Sequence, residues 1–497
     1  MATATESGAL VRPEGPDASD GVRPAAAKIR EALPCSIELP AGAGKTHLIA
    51  EIANDYRRRE QRVLVLTHTH AGVDALRRQI RDQGGSSRWA TVRTIDGWCL
   101  DLIMHFPELA GLHVGDQPDW EEAESYRLAA ERAIRTPAVR RMLEASYALI
   151  AVDEYQDCVL AQHQVVAALR EVVPTAVFGD PLQGLFHFGD NQPVSWEEVL
   201  TLFPSCELPI KPWRWEGKNE ELGRWLLAIR PSLRRGETIS LKNAPVQWRR
   251  IDNGGRRIYA QTTACFGQPE DGPVVALGHM SHDCRMAAAK LNGSYLMMEE
   301  LEGKQMLKFA EVVDLGDAAS IAKATVDFAC ECAVGVTEAI EKRKRDRLGE
   351  GKTISSRKVE LCAAHAKLSE LLEESSPATV RSALHEIARL PRFQLFRHEA
   401  WSCIINALGQ AASDPQLKVS TAVRRLRNHD RIVGRRPAKR IVSRPLLVKG
   451  LQYDYAVLLD ADRYNAAELY VALSRGCRAV TVLSSSPVLT PAAVSSP

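Results

Sequence analysis

ALIAVDEYQD, residues 148–157, is the stretch whose reading decides the fold. From Ala148 to Val152 it is apolar, the composition of a strand covered on both faces in a parallel α/β sheet. It then stops on adjacent carboxylates, Asp153 and Glu154. Such sheets keep their ligands at the carboxyl ends of their strands, so the acids stand where a ligand is expected. A solvated turn explains one acid pair equally well, and the rest of the chain decides between the two.

Working outward, RVLVLT (62–67), TAVFGD (175–180), PVVALG (273–278), YAVLLD (455–460) and AVTVLS (479–484) repeat the short apolar run between helical stretches. That alternation predicts an α/β fold of parallel sheets with crossover helices. From about 300 to 440 it lapses into helical patterns such as VELCAAHAKLSELLEE (359–374), which predicts a helical insertion. Residues 1–28 are rich in Ala, Gly, Pro and Ser without periodicity and are expected to be a disordered leader.

With 497 residues, 45% of them hydrophobic, the chain is long enough for two or three domains with full cores. A formal net charge of +2 leaves any nucleic-acid affinity to local clusters. The 11 cysteines are scattered without CxxC pairs and no signal-like segment opens the chain, which fits a reducing cytoplasm. No apolar run approaches the roughly 18 residues of a membrane span, so no membrane partner is expected.

IELPAGAGKTHLIAEIA (37–53) carries the second signal. A phosphate-binding loop needs glycines so that backbone N–H groups can approach the phosphates, and a lysine to reach the β- and γ-oxygens. It also needs a hydroxyl for Mg2+ and a helix whose N-terminus faces the anion. Gly42, Ala43 and Gly44 supply the turn, Lys45 and Thr46 follow, and Leu48, Ile49, Ile52 and Tyr56 give the next helix an apolar face. Leu39 occupies the first glycine position of the full pattern. Mg2+ takes only one or two protein oxygens beside nucleotide phosphates. Thr46 and Asp153 are the expected metal-side groups, and Glu154 is suited to polarise an attacking water. Beside Mg2+ and ATP the two acids have a use.

AVDEYQD resembles the DExQD box of superfamily 1 helicases of the UvrD, Rep and PcrA type, and further boxes follow in that family's order. THTHAGVDAL (67–76), RTIDGW (93–98) and FGDPLQGLFHF (178–188) are similar to its TFTNKAA, TFHG and GDxxQxIYxW segments. PWRWEGKNEELGRW (212–225), VKGLQYD (448–454) and LYVALSRG (469–476) are similar to its NYRS, KGLEF and YVxxTRA boxes. The resemblance implies two RecA-like P-loop domains that hydrolyse ATP with Mg2+ to move 3′ to 5′ along single-stranded DNA, with tailed duplexes as a further substrate. Position by position it implies catalytic roles for Lys45, Asp153 and Glu154, with Gln183 sensing the γ-phosphate and the water. Arg214 and Arg475 become arginine fingers from the second domain. Residues Gly42 to Thr46 cradle the phosphates, and Trp213 and His47 flank the adenine. Thr67, His68, Thr69, Phe186 and Phe188 become contacts to the DNA strand, where aromatic faces stack on bases.

Some positions depart from the family. No Gln precedes the phosphate loop, His68 and His47 replace a Phe and an Arg, Gly189 replaces an Arg, and Gln452 replaces the Glu of KGLEF. These changes fall on nucleobase selection and DNA coupling more than on hydrolysis. The tract VRRLRNHDRIVGRRPAKR (423–440) reads either as a phosphate-tracking segment or as a solvated linker. Cys330, Cys332, Cys362 and His365 invite a zinc site, but residues two apart on a helix point about 200° from one another, so none is expected.

The expected domains are a first RecA-like domain over residues 29–205, with a small helical insert near 100–146, and a second over 206–299 and 440–488. A helical insertion over 300–439 and a tail over 489–497 complete the division. With about 20 residues after the last box, no appended nuclease domain is expected. In its compact build and reduced inserts the chain also resembles the helicase subunit of the Gabija phage-defence system. That implies a second reading: an ATP-gated, DNA-sensing subunit that partners a separate nuclease in phage defence or repair and unwinds little.

Overall fold

Five short strands build the first sheet: β1 (Cys35–Glu38), β2 (Val63–Thr67), β3 (Ala90–Thr94), β4 (Leu149–Val152) and β5 (Thr175–Gly179). In this computed structural model, which describes residues 19–115, 118, 120–185, 193–252, 254, 256–299, 303–433 and 438–492, they pair in parallel in the order β1-β5-β4-β2-β3. Strands β2, β4 and β5 are buried throughout, as parallel strands beneath crossover helices must be. Leu64, Ile150 and Val177 share a core with Trp98, Ile103, Tyr126 and Phe203, and each such side chain contributes roughly 1.5–3 kcal/mol by leaving water. Helices Lys45–Arg58, His70–Asp82 and Ile95–His105 start close behind β1, β2 and β3. Thr69 and Thr94 cap the last two by accepting from Gly72 N (3.0 Å) and Gly97 N (3.1 Å).

The remaining strands are β6 (Ile239–Ser240), β7 (Gln247–Arg250), β8 (Val274–Leu277), β9 (Leu296–Met297), β10 (Ala333–Val334), β11 (Gln394–Leu395), β12 (Arg440–Ser443), β13 (Tyr453–Leu458), β14 (Gly476–Ser484) and β15 (Val488–Leu489). Six of them form a second parallel sheet in the order β7-β14-β13-β8-β12-β9. β10 pairs with β11, and β15 with β6, both antiparallel. The architecture is that of two RecA-like domains with parallel sheets, the second interrupted by helices.

Those helices, from Lys304–Leu315 to Val419–Val433, close around their own core, in which Phe328 stacks on Phe309 and Trp401 with ring centroids 4.7 and 6.0 Å apart. A seam ties this body to the second sheet. Phe396 enters the sheet's core, Met297 N donates to its carbonyl (2.8 Å), and buried Arg397 grips Glu299 through two bonds of 2.7 and 2.6 Å.

The chain divides into two compact units. One holds the residues up to Leu39 with Gly44–Asp180 and Asn191–Ile210; the other holds Pro40–Ala43, Pro181–Asp190 and Lys211–Pro497. Part of the leader expected over residues 1–28 is helical instead: a helix runs Ser19–Ala32, because its alanines favour helix and Ala26 and Ile29 bury on one face. Residues 1–18, Phe186, Phe188, Gly189 and residues 434–437 of the basic tract lie outside the described residues. Among the described residues no helix is long and apolar enough to cross a membrane.

Candidate active site

In the first unit the carboxyl end of β4 meets one lysine. Lys45 Nζ lies 2.7 Å from Glu154 Oε1 and 3.6 Å from Asp153 Oδ1. The lysine opens the helix Lys45–Arg58, whose N-cap Gly44 sits at φ 84°, ψ 22°, a conformation glycine adopts without steric penalty. No side chain caps this helix and no acid occupies its first turn. Its leading N–H groups and positive pole therefore suit an outside anion.

Glu154 is also left-handed, at φ 56° and ψ 39°, a conformation costing about 1–2 kcal/mol outside glycine. Its N–H donates to Asp153 Oδ1 (2.9 Å). Gln156 Nε2 donates to Glu154 Oε2, and Gln156 Oε1 accepts from Asp180 N (2.9 Å), so the ends of β4 and β5 are cross-linked. Gln156 and Asp180 were not singled out from the sequence, although both lie in quoted boxes. Asp180 closes TAVFGD as Asp153 closes ALIAVD, and that repetition was the available signal.

Burial is the main cause that raises the Asp153 carboxyl to about 6; Lys45 opposes the shift and Glu154 adds to it. Burial works against the charge on Lys45 as well, but Glu154 and then Asp153 outweigh it and hold the ammonium above the ordinary lysine range. A buried ammonium, a hard carboxylate with the Thr46 hydroxyl nearby in sequence, and an uncapped helix N-terminus form a donor set that fits a magnesium–phosphate group. His47 Nδ1 accepts from Gln83 Nε2 (2.9 Å) and Gln79 Nε2 (3.2 Å), which sets the ring's orientation.

In the second unit Trp213–Trp215 forms a single 3-10 turn. Trp213 is half-buried with Lys211 Nζ 3.7 Å over its ring. Trp215 is fully buried and donates Nε1 to the Gly476 carbonyl (2.8 Å). Arg214 donates Nη1 to the Ser474 carbonyl (2.6 Å) and its backbone N–H to Gly42 O (3.1 Å). A Cβ on Gly42, at φ 72°, would stand 2.7 Å from Arg214 Cβ and from the Trp215 ring, so glycine is required. Arg475 is wholly buried: it donates to the carbonyls of Val471 (2.9 Å), Val448 (3.1 Å) and Leu451 (2.9 Å) and to Ser474 Oγ (2.7 Å). Gln183 is buried at the end of the turn Pro181–Gln183.

Of the expected strand contacts, Thr67 is buried at the end of β2, Thr69 is exposed as a helix cap, and His68 Nε2 lies 3.4 Å from Cys158 Sγ. Asp96, in the RTIDGW box, is gripped by Arg127 (2.8 and 2.9 Å) and accepts from Gln162 (3.0 Å). Burial pushes this carboxyl up, yet Arg127 and then Gln162 hold it below its usual range. In the basic tract, Arg427 is buried on its helix, 4.0 Å from Glu399.

A family model described as an AAA domain matches residues 23–189. No curated protein matches the chain. Among solved structures the chain is similar to the crystal structure of Pif1 helicase from Candida albicans, at 14% identity and a TM-score of 0.30, over 57% of this chain and 55% of that one. The chain thus spans about half the length of that solved chain. The AAA-domain match covers residues 23–189, about a third of the chain, and takes in the whole first sheet, Lys45 and the strand-end acids Asp153 and Glu154.

Proposed function

We propose that this chain is a UvrD-type motor: a DNA-dependent ATPase that moves 3′ to 5′ along single-stranded DNA by hydrolysing ATP between its two RecA-like domains. The observation that carries this reading is Lys45, at the head of an uncapped helix, bound to the strand-end acids Glu154 and Asp153. Lys45 exchanges those carboxylates for β- and γ-phosphate oxygens, which frees Glu154 to accept the proton of the attacking water. Gln183 orients that water, and Arg214 and Arg475 stabilise the charge that spreads over the transferring phosphoryl group. For Arg475 this means exchanging carbonyl acceptors for phosphate oxygens. Thr46 and Asp153 would hold Mg2+, which would supply neutralising charge to the phosphate oxygens. Trp213 and His47 flank the adenine, and Thr67, His68, Thr69, Phe186 and Phe188 contact the DNA strand.

Tailed duplexes test the reading. ATP-dependent strand separation from a 3′ tail, and none from a 5′ tail, is expected. Separation from the 5′ tail alone reverses the direction. DNA-stimulated turnover with no separation from either tail favours a gated DNA sensor that partners a nuclease, in repair or phage defence.

A further inference from the structure

The leading half of the phosphate loop is held by a hydroxyl. The turn Pro40–Ala43 belongs to the second unit, and Ala41 lies in the same apolar cluster as Leu182, Trp215 and Tyr470. Its N–H donates to the Tyr470 hydroxyl (3.1 Å), and Tyr470 is only 1% exposed. The same hydroxyl accepts from Arg230 Nη1 (2.8 Å), whose guanidinium carbon lies 5.0 Å from the Tyr470 ring centroid. Arg230 is buried on the helix Glu220–Arg234, and Tyr470 sits on Ala466–Leu473, which leads straight into Ser474 and Arg475. The next loop residue is held as well: Gly42 O accepts from Arg214 N, and Arg214 in turn donates to the Ser474 carbonyl. Two adjacent loop residues are therefore bonded to Tyr470 and to a residue that itself bonds the end of the Tyr470 helix.

We infer that Tyr470, oriented by Arg230, is a positioning residue for the phosphate loop. Its hydroxyl fixes the Ala41 peptide, so that the remaining loop N–H groups and Lys45 are set for a nucleoside triphosphate before it arrives. The inference rests on the ATP-hydrolysis reading and deepens it. A loop with Leu39 in place of the first glycine has lost one of the residues that shape this turn from within, and the hydroxyl supplies support from outside. Removing it deprives a buried peptide N–H and a buried guanidinium of the same acceptor, so the loop is expected to shift.

The test measures MgADP affinity and steady-state ATP hydrolysis of the full chain as wild type, Tyr470→Phe, Arg230→Met and the double variant. Wild type comes first: if it neither binds MgADP nor turns over ATP, the parent reading fails and this inference with it. Given wild-type turnover, Tyr470→Phe is expected to raise Kd for MgADP and KM for ATP about tenfold, while kcat changes less than about threefold. The double variant is expected to be no worse than the worse single one, because both substitutions remove one device. Unchanged Kd and KM in folded Tyr470→Phe, or full additivity, overturn the positioning role and leave the ATPase reading standing. If Tyr470→Phe does not fold, the comparison moves to Arg230. Arg230→Lys, which can still donate to the hydroxyl, is expected to keep a KM near wild type while Arg230→Met does not; equal KM values for the two overturn the inference.

Discussion

Lys45 in the first unit and Arg475 in the second are answered by different chemistry. In the first unit Lys45 is met by side-chain carboxylates, Glu154 and Asp153, which can rotate, protonate or accept a metal ion. In the second unit Arg475 is met mainly by main-chain carbonyls of Val448, Leu451 and Val471, which are fixed by the fold and do not titrate. The first cluster can therefore change partners by side-chain movement alone. The other ties the KGLQYD box to the helix Ala466–Leu473 and gives up its bonds only if the local backbone gives way. Arg214 stands between these cases: it is half-buried, and its bonds include a 2.6 Å contact to the Ser474 carbonyl.

Substitutions can break or sharpen that contrast. The largest effect is expected for Arg214→Ala, where ATP turnover falls about 10³- to 10⁵-fold, as for arginine fingers elsewhere, while the melting temperature stays near wild type. A fall below tenfold would remove Arg214 from the transition state. Next, Glu154→Gln should lower kcat by about 10²- to 10⁴-fold with nucleotide binding retained, since only proton acceptance is lost; single-turnover hydrolysis alongside an ADP titration separates the two. Arg475→Met should register first as stability. Stranding several buried acceptors costs about 3 kcal/mol, read as a lower denaturation midpoint, and an unchanged midpoint would contradict the structural half of the comparison.

The smallest expected effect is a pH slope. Burial raises the Asp153 carboxyl to about 6, against an ordinary 3.8. Between those values the folded state holds a proton that the unfolded state has released, so stability falls as pH rises through that window. Asp153→Asn should flatten the slope of melting temperature against pH, measured without nucleotide. A slope that persists in the variant assigns it to another group.

Much of this was legible because the decisive residues are local in sequence. Lys45 opens a helix of plain apolar pattern and Asp153 and Glu154 follow on β4, so strand end, acids and glycine-rich loop could be read together. Strands that carry little pattern escaped. β3 alternates a buried Val92 with exposed Arg93, β7 is the polar run QWRR at a sheet edge, and β12 is four residues long with an Arg at its head. Contacts made across long sequence separations were invisible as well. Nothing in the helix patterns pairs His47 with Gln79 and Gln83, and an arginine inside the helical run EELGRWLLAIRPSLR gave no hint that Arg230 reaches Tyr470. Arg475 was legible as a family position, but its burial was not, because burial depends on carbonyls contributed by two other segments.

The most direct test of the central claim, that the Lys45 cluster is the hydrolytic centre of a DNA-driven motor, is the ATPase rate of the purified full chain with and without single-stranded DNA, run beside Lys45→Ala. The account expects a several-fold rise with DNA and no measurable turnover in the variant. Equal rates with and without DNA, or turnover that survives the loss of Lys45, would contradict it.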